Sequence, residues 1–202
     1  MRRGLTLAMT SALLALGLGT SPALADTKKT DPVSTTKEVS MKYEGFDKKI
    51  AKENGYDIRK DDRGVEYSIP ETTPEGDLTG AKYIPGQEPS AASNDGITTF
   101  NTTFGNCGTA TLTGSGRGFF TAYAITDPWV GPAYYHEWRV AVASQFGYQV
   151  WNLDGVPPGY SWYTSRSIPF GGWYNGYVSH GKVFTTLGFV CTALNPSDAW
   201  AS

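Results

Sequence analysis

Few residues of this 202-residue chain belong to the types that carry out acid–base, nucleophilic or metal chemistry. It has two cysteines and two histidines, Cys107, Cys191, His136 and His180. These are too few for a structural zinc site, so we predict no metal ligands. A catalytic thiol paired with either histidine would leave the second cysteine without a role. His136 shares a predicted strand face with Trp138, which favours a hydrogen-bonded core histidine.

Paired carboxylates for glycoside hydrolysis would have to come from the four acidic residues of the C-terminal half, Asp127, Glu137, Asp154 and Asp198. Asp127 and Asp154 precede turns, where Asp side chains commonly bond to the backbone. The sequence GSGRG at 114–118 has neither the spacing of a nucleophile elbow nor the Gly-Lys-Ser/Thr of a phosphate loop. We therefore predict no catalytic residue and no cofactor, with a secreted inhibitor or an unrecognised hydrolase as the lesser alternatives.

Residues 1–25 have the three parts of a secretory signal peptide. Arg2 and Arg3 supply the positive charge, an apolar stretch follows, and Ala23-Leu-Ala25 forms a small-residue cleavage site. No apolar run reaches the ~18 residues that span a bilayer. We predict a secreted, extracellular protein. Its net charge of -2 argues against nucleic acid and anionic membranes as partners, because both require a concentrated basic face.

In a secreted protein, Cys107 and Cys191 are predicted to form one disulfide, since the compartment is oxidising and the cysteine count is even. On the chain-entropy estimate, a loop of this length stabilises the fold by at most about 4–5 kcal/mol. The bond would tie the first strand of the C-terminal half to the last.

Charge and aromatic content divide the mature chain near residue 96. Residues 26–96 are dense in charged side chains, whereas 97–202 contain all six tryptophans. A segment so polar buries too little apolar surface to offset its chain entropy. We interpret 26–96 as a charged, largely extended arm and linker, and 97–202 as the folded domain.

The C-terminal domain is predicted to be all-β. In residues 133–143 the side chains expected on the two faces of a strand alternate with a period of two. Residues 107–113 and 117–126 are predicted to form a hairpin. Glycine- and proline-rich turns separate further short segments, and no helical period appears. The pattern predicts a small immunoglobulin-like β-sandwich with one disulfide.

Within the arm, residues 42–70 carry regular apolar patterns. The spacing of Tyr43, Phe46 and Ile50 predicts a short helix that ends near Asn54, and the following residues predict a hairpin that turns at Gly64. Fewer than ~40 residues do not usually fold alone. Such a segment docks on its own domain, orders on a partner, or is a removable pro-segment. We favour a partner. The predicted contact residues are Tyr43, Phe46, Ile50, Tyr56, Ile58, Val65, Tyr67 and Ile69.

The domain also has more aromatic residues than its interior readily accommodates. Neighbouring aromatics in a strand point to opposite faces, so one of each pair should face outward. Such a surface suits stacking on sugars or contact with protein. The predicted patch consists of Trp151, Tyr160, Trp162, Tyr163, Trp173 and Tyr174.

In its layout the chain resembles the adaptor subunits of secreted actinobacterial antibacterial particles, the umbrella toxins. A cleaved leader, a charged arm with a strand-like segment and a small disulfide-tied β-domain carry the likeness. The resemblance implies a β-domain that bridges a lectin-like subunit to a repeat-bearing toxin chain, with its N-terminal extension gripping one partner. We therefore expect a secreted, non-catalytic adaptor that binds protein. The alternative is a module that binds carbohydrate or the cell wall.

Overall fold

The computed structural model of the chain describes residues 39–89, 106–157 and 159–202. The predicted signal peptide and the predicted boundary near residue 96 lie outside these ranges. Within them, no helix is long and apolar enough to cross a membrane.

The described residues form an all-β fold, as predicted. Twelve strands, one short α-helix and one 3-10 turn are present in this part of the chain. They are β1 (Val39–Phe46), α1 (Lys48–Glu53), β2 (Tyr56–Lys60), β3 (Glu66–Pro70), β4 (Lys82–Tyr83), β5 (Asn106–Ser115), β6 (Gly118–Ile125), the 3-10 turn (Pro128–Val130), β7 (Ala133–Ser144), β8 (Gly147–Asn152), β9 (Ser161–Ser167), β10 (Trp173–Thr185), β11 (Phe189–Ala193) and β12 (Ser197–Ala201).

A nine-stranded antiparallel sheet makes up most of the fold. Its order is β8-β7-β10-β11-β1-β5-β6-β9, and β12 pairs with β10. The sheet curls until its two ends face each other across one core. The indole nitrogen of Trp138 donates to the Thr121 hydroxyl at 3.0 Å. The Phe119 and Trp151 rings meet at 5.1 Å between centroids. These contacts join the inner faces of β6, β7 and β8 in a sandwich-like packing.

Strand β1 corrects two expectations about the arm. It lies between β11 and β5 in the main sheet, so residues 39–46 belong to the domain itself. The predicted helix is wrong over Tyr43 and Phe46, which lie in β1. A bulge between Tyr43 and Gly45 inserts one residue, so Tyr43 and Phe46 face the same core although they are three apart. That spacing imitates one helical turn.

The helix begins only at Lys48, after Asp47. The Asp47 carboxylate accepts the Ile50 backbone N–H at 2.9 Å and so caps the first turn. The predicted hairpin is present as β2 and β3, and Gly64 adopts the left-handed region at φ 80 within its turn. Together with β4, this hairpin forms a separate three-stranded sheet.

The remaining arm residues are divided between interior and partial exposure. Tyr67 and Ile69 of β3 are buried, whereas Ile50, Tyr56, Ile58 and Val65 are half-buried. Two of the eight predicted contact residues therefore belong to the interior, and the other six are partly exposed; partner binding through the arm stays a prediction.

The predicted disulfide between Cys107 and Cys191 is present, with Cα atoms 5.9 Å apart. It joins β5 and β11, the two strands that pair with β1 on its two sides. Both cysteines are fully buried. Strand β11 is not the last of the chain, because β12 follows it.

Candidate functional site

Aromatic side chains of the inner sheet faces form one buried cluster. The hydroxyl of Tyr123 lies 3.0 Å from Nδ1 of His136, and Nε2 of His136 lies 2.8 Å from the Leu153 carbonyl oxygen. Because that carbonyl can only accept, Nε2 carries the proton and Nδ1 accepts from Tyr123. Burial lowers the pKa of His136. Trp162 packs edge-on against His136, with ring centroids 4.4 Å apart. The histidine is thus a structural core residue.

The six residues of the predicted aromatic patch do not form one surface. Trp151 and Trp162 are half-buried and pack on the core, and Tyr174 is buried. The other three are exposed at separate places: Tyr160 before β9, Tyr163 on β9 and Trp173 at the start of β10. As the alternation predicts, Tyr163 and Trp173 point outward, whereas Trp162 and Tyr174 point inward. The sequence did not indicate which strands are neighbours in the sheet.

The structure instead groups four exposed side chains on the outer face of β8 and β10, beside β7, with a fifth in the turn between β7 and β8. We call this group the aromatic platform. Its members and exposed fractions are Phe146 66%, Tyr148 61%, Val150 45%, Trp173 65% and Tyr177 40%. In the strand register Val150 lies beside Ala141, and Ala141 beside Tyr177. Tyr148, Val150, Trp173 and Tyr177 therefore share one side of the sheet, whereas Phe146 lies in the turn between β7 and β8.

Small residues of β7 lie between the large side chains of the platform. Ala141 points outward with Val150 and Tyr177, yet it is completely buried. The Tyr148 and Tyr177 hydroxyls approach each other across β7. Hydrogen bonding with Tyr177 raises the pKa of Tyr148 above its ordinary value. Trp173 and Tyr177 are four positions apart in the sequence, a length of ~13 Å along the strand.

No charged side chain belongs to the platform. The nearest charged neighbours on the same sheet face are already paired: Arg139 lies 3.4 Å from Asp154, and His180 Nε2 lies 2.7 Å from a Glu137 carboxylate oxygen. The surface therefore offers aromatic and aliphatic contacts with a phenolic hydroxyl pair, and it has little electrostatic attraction for an ion.

A second exposed aromatic group lines a cleft where the N-terminal residues meet the main sheet. Tyr56, Trp129, Tyr160 and Leu187 contribute to its walls, and the cleft measures about 490 Å³. We call it the Trp129 cleft. The Lys82 ammonium lies 3.7 Å from the centroid of the indole ring of Trp129, a cation–π contact.

Asp127 holds Trp129 in place. One carboxylate oxygen accepts the Trp129 backbone N–H at 2.9 Å, and the other accepts the Tyr43 hydroxyl at 2.7 Å. Burial and this hydrogen bond raise the pKa of Tyr43, so the phenol stays a donor. Through Tyr43, strand β1 thus helps to fix the turn that carries Trp129.

No protein-family model, no curated protein and no solved structure matches this chain. The two exposed aromatic surfaces are therefore the basis on which a function is proposed.

The acidic residues weighed for catalysis are all engaged in structural contacts. Asp154 accepts the Trp138 backbone N–H at 2.7 Å, and Asp198 accepts that of Gly114 at 2.8 Å. Asp127 holds the 3-10 turn, and Glu137 pairs with His180. Sequence reasoning missed the last pair because the two residues come from different strands. Within the described ranges, no group of three His, Cys, Asp or Glu residues is arranged to hold a metal.

Sequence reasoning also missed most of the platform. A usable signal was present: Trp173 and Tyr177 are four apart, and Tyr148 and Val150 are two apart, so each pair must share a strand face. The adjacency of β8, β7 and β10 was not readable, since it depends on pairing between distant segments. Trp129 was missed because it lies in a turn without alternation.

Proposed function

We propose that this chain is a non-catalytic binding protein that acts outside the cell and holds a polysaccharide on its aromatic platform. The observation that carries the proposal is the uncharged and exposed ring surface of Tyr148, Trp173 and Tyr177 on one sheet face. One face of a sugar ring presents C–H groups that pack on aromatic rings, while its hydroxyl groups remain hydrated or bond to phenols. A neutral glycan fits a surface without charge.

The size of the platform supports a glycan over a folded protein. The platform extends ~13 Å along β10, and its three strands, spaced ~4.8 Å apart, span ~10 Å across it. A stable protein interface usually needs about 800 Å² from each partner. A single extended sugar chain needs much less surface.

Two further observations support the rest of the proposal. The acidic residues of the main sheet serve as caps, backbone acceptors and a His partner, which favours binding without catalysis. The Cys107–Cys191 disulfide is typical of oxidising, extracellular compartments.

The test is retention of the mature chain on insoluble cellulose, chitin and peptidoglycan. We expect wild-type protein to be retained on at least one of them, and Trp173→Ala to lose about five- to thirtyfold in affinity, the loss expected for one ring of ~1–2 kcal/mol. Tyr163→Ala is the matched control, because Tyr163 is 73% exposed on the opposite end of the sheet. Equal loss in both variants, or no retention of the wild type on any matrix, refutes the proposal.

The adaptor role is the second candidate, and the Trp129 cleft favours it. The cleft joins an N-terminal residue, Tyr56, to Trp129 and Tyr160 of the domain, and among the described residues Lys82 is the only charged one in its lining. Aromatic grooves of this kind accept extended peptides. An acidic group on such a peptide would pair with Lys82.

Co-purification of the mature chain from culture fluid separates the two functions. Under the adaptor hypothesis, Trp129→Ala loses the protein partner, and Trp173→Ala retains it. Under the polysaccharide hypothesis, Trp173→Ala loses the glycan and Trp129→Ala retains it. A mature chain that elutes alone from culture fluid contradicts the adaptor role.

A further inference from the structure

One edge of the main sheet differs from every other sheet edge in the described residues. Five strands have a neighbour on one side only: β8, β9, β12, β2 and β4. Four of them carry charged residues, namely Arg166 in β9, Asp198 in β12, Arg59 in β2 and Lys82 in β4. Charged side chains on an edge discourage pairing with another chain.

Strand β8 has none of these protections. Its sequence, Gly147-Tyr-Gln-Val-Trp-Asn152, contains no charge and no proline. Its six residues pair with β7 without a register shift, so no bulge turns the edge away. Among the described residues no other segment forms backbone hydrogen bonds with β8 on its free side. Alternate backbone N–H and C=O groups of β8 are therefore available to a further strand.

We infer that a second copy of this chain adds its own β8 to this edge, antiparallel and across a twofold axis. Directly opposite residues of an antiparallel pair share one face, so an axis normal to the sheet at Val150 sets Val150 against Val150 of the second copy. Tyr148 then faces Asn152, and Gln149 faces Trp151, each of the other copy. Outer residues meet outer residues, and inner residues meet inner ones.

The chemistry of β8 explains why the occupant is the chain itself. Self-pairing sets like residues beside each other, which is unfavourable on a charged edge and harmless on an uncharged one. The central pair would be two valines, a β-branched pair that is favourable in sheets. Val150 is 45% exposed and Tyr148 is 61% exposed in the monomer, so both have surface to bury.

The pairing has a consequence for the platform. The twofold axis places the outer faces of the two copies on the same side of the joined sheet. Strands β12, β10, β7 and β8 of each copy then form one continuous surface of eight strands. The aromatic platform of each copy continues into that of the other across β8. The inference is independent of what the platform binds, because the dimer forms without a ligand.

Sedimentation equilibrium of the mature wild-type chain tests the dimer. We expect a reversible monomer–dimer equilibrium. Val150→Lys places two ammonium groups opposite each other and should weaken the dimer by at least about tenfold. Ser165→Lys is the matched control on the outer face of β9, already an edge that carries Arg166, and should leave the equilibrium unchanged. A wild-type chain that remains monomeric up to its solubility limit overturns the inference.

Two more variants locate the contact. Facing residues of an antiparallel pair have Cα atoms ~4.5–5.5 Å apart, within the range of a disulfide. Val150→Cys should therefore form an intermolecular disulfide under mild oxidation, whereas Ser165→Cys should not. Trp173→Ala separates edge pairing from stacking of two platforms: an edge dimer survives it, and a stacked dimer is lost. Loss of the dimer in Trp173→Ala, or equal cross-linking at both cysteine positions, contradicts edge pairing.

Discussion

The buried aromatic cluster and the aromatic platform contain the same residue types, but their side chains differ in exposure and in hydrogen bonding. In the cluster, polar atoms are paired within the chain: Trp138 with Thr121, and His136 with Tyr123 and Leu153. On the platform, the Trp173 side chain is 65% exposed and its indole N–H donates to no described residue. Buried polar groups without partners are costly, whereas exposed ones are solvated. The cluster therefore contributes to stability, and the platform has its contacts free for a ligand.

The sharpest test of this comparison exchanges a tryptophan for alanine in each region. Trp138→Ala should destabilise the fold by about 3–5 kcal/mol, because it leaves a cavity and removes the bond to Thr121. Trp173→Ala should change stability by less than about 0.5 kcal/mol. Urea unfolding followed by fluorescence measures both. Similar losses in the two variants would remove the distinction between interior and platform.

The second prediction concerns strand β1, which was expected to grip a partner and instead lies in the sheet. Met41 of β1 is fully buried in the main core. Met41→Ala should therefore cost about 2–5 kcal/mol in the isolated chain. Lys49→Ala, on the exposed side of α1, is the control and should have little effect. If Met41→Ala leaves the stability of the isolated chain unchanged, β1 does not belong to its own core.

The parts of this fold that depend on neighbouring residues could be predicted from the sequence. The parts that depend on pairing between distant strands could not. The β5–β6 hairpin and the alternation of β7 involve neighbouring residues, and the disulfide follows from an even cysteine count. The place of β1 was not readable, because Met41 pairs with Ala193 across most of the chain. Its bulge also gives Tyr43 and Phe46 a helical spacing. The platform was hidden for the same reason, since three distant strands assemble it.

The third prediction is a pH dependence that belongs to the buried cluster alone. Burial lowers the pKa of His136 in the folded state, so the unfolded chain binds the proton first as the pH falls. Stability is therefore full above the unfolded pKa of ~6.5 and declines below it, by at most about 1.4 kcal/mol per pH unit. Urea unfolding between pH 7 and pH 5 measures the decline.

Variants assign this decline to its source. His136→Gln removes the titrating group and should flatten the profile over this range while lowering stability at every pH. His180→Gln, on the outer face, should retain the decline, because His180 is not part of the buried cluster. An unchanged slope in His136→Gln would show that another group is responsible.

The smallest expected effect concerns the hydroxyl pair of the platform. The hydrogen bond with Tyr177 raises the pKa of Tyr148, because it favours the neutral phenol over the phenolate. Tyr177→Phe removes the partner, so the pKa of Tyr148 should fall toward its ordinary value of ~10. Ultraviolet absorbance titration would record the change, with Tyr163→Phe as a control that leaves the Tyr148 pKa where it is. If Tyr148 titrates identically in Tyr177→Phe and wild type, the two hydroxyls do not interact across β7, and Tyr148 and Tyr177 do not act as a pair on the platform.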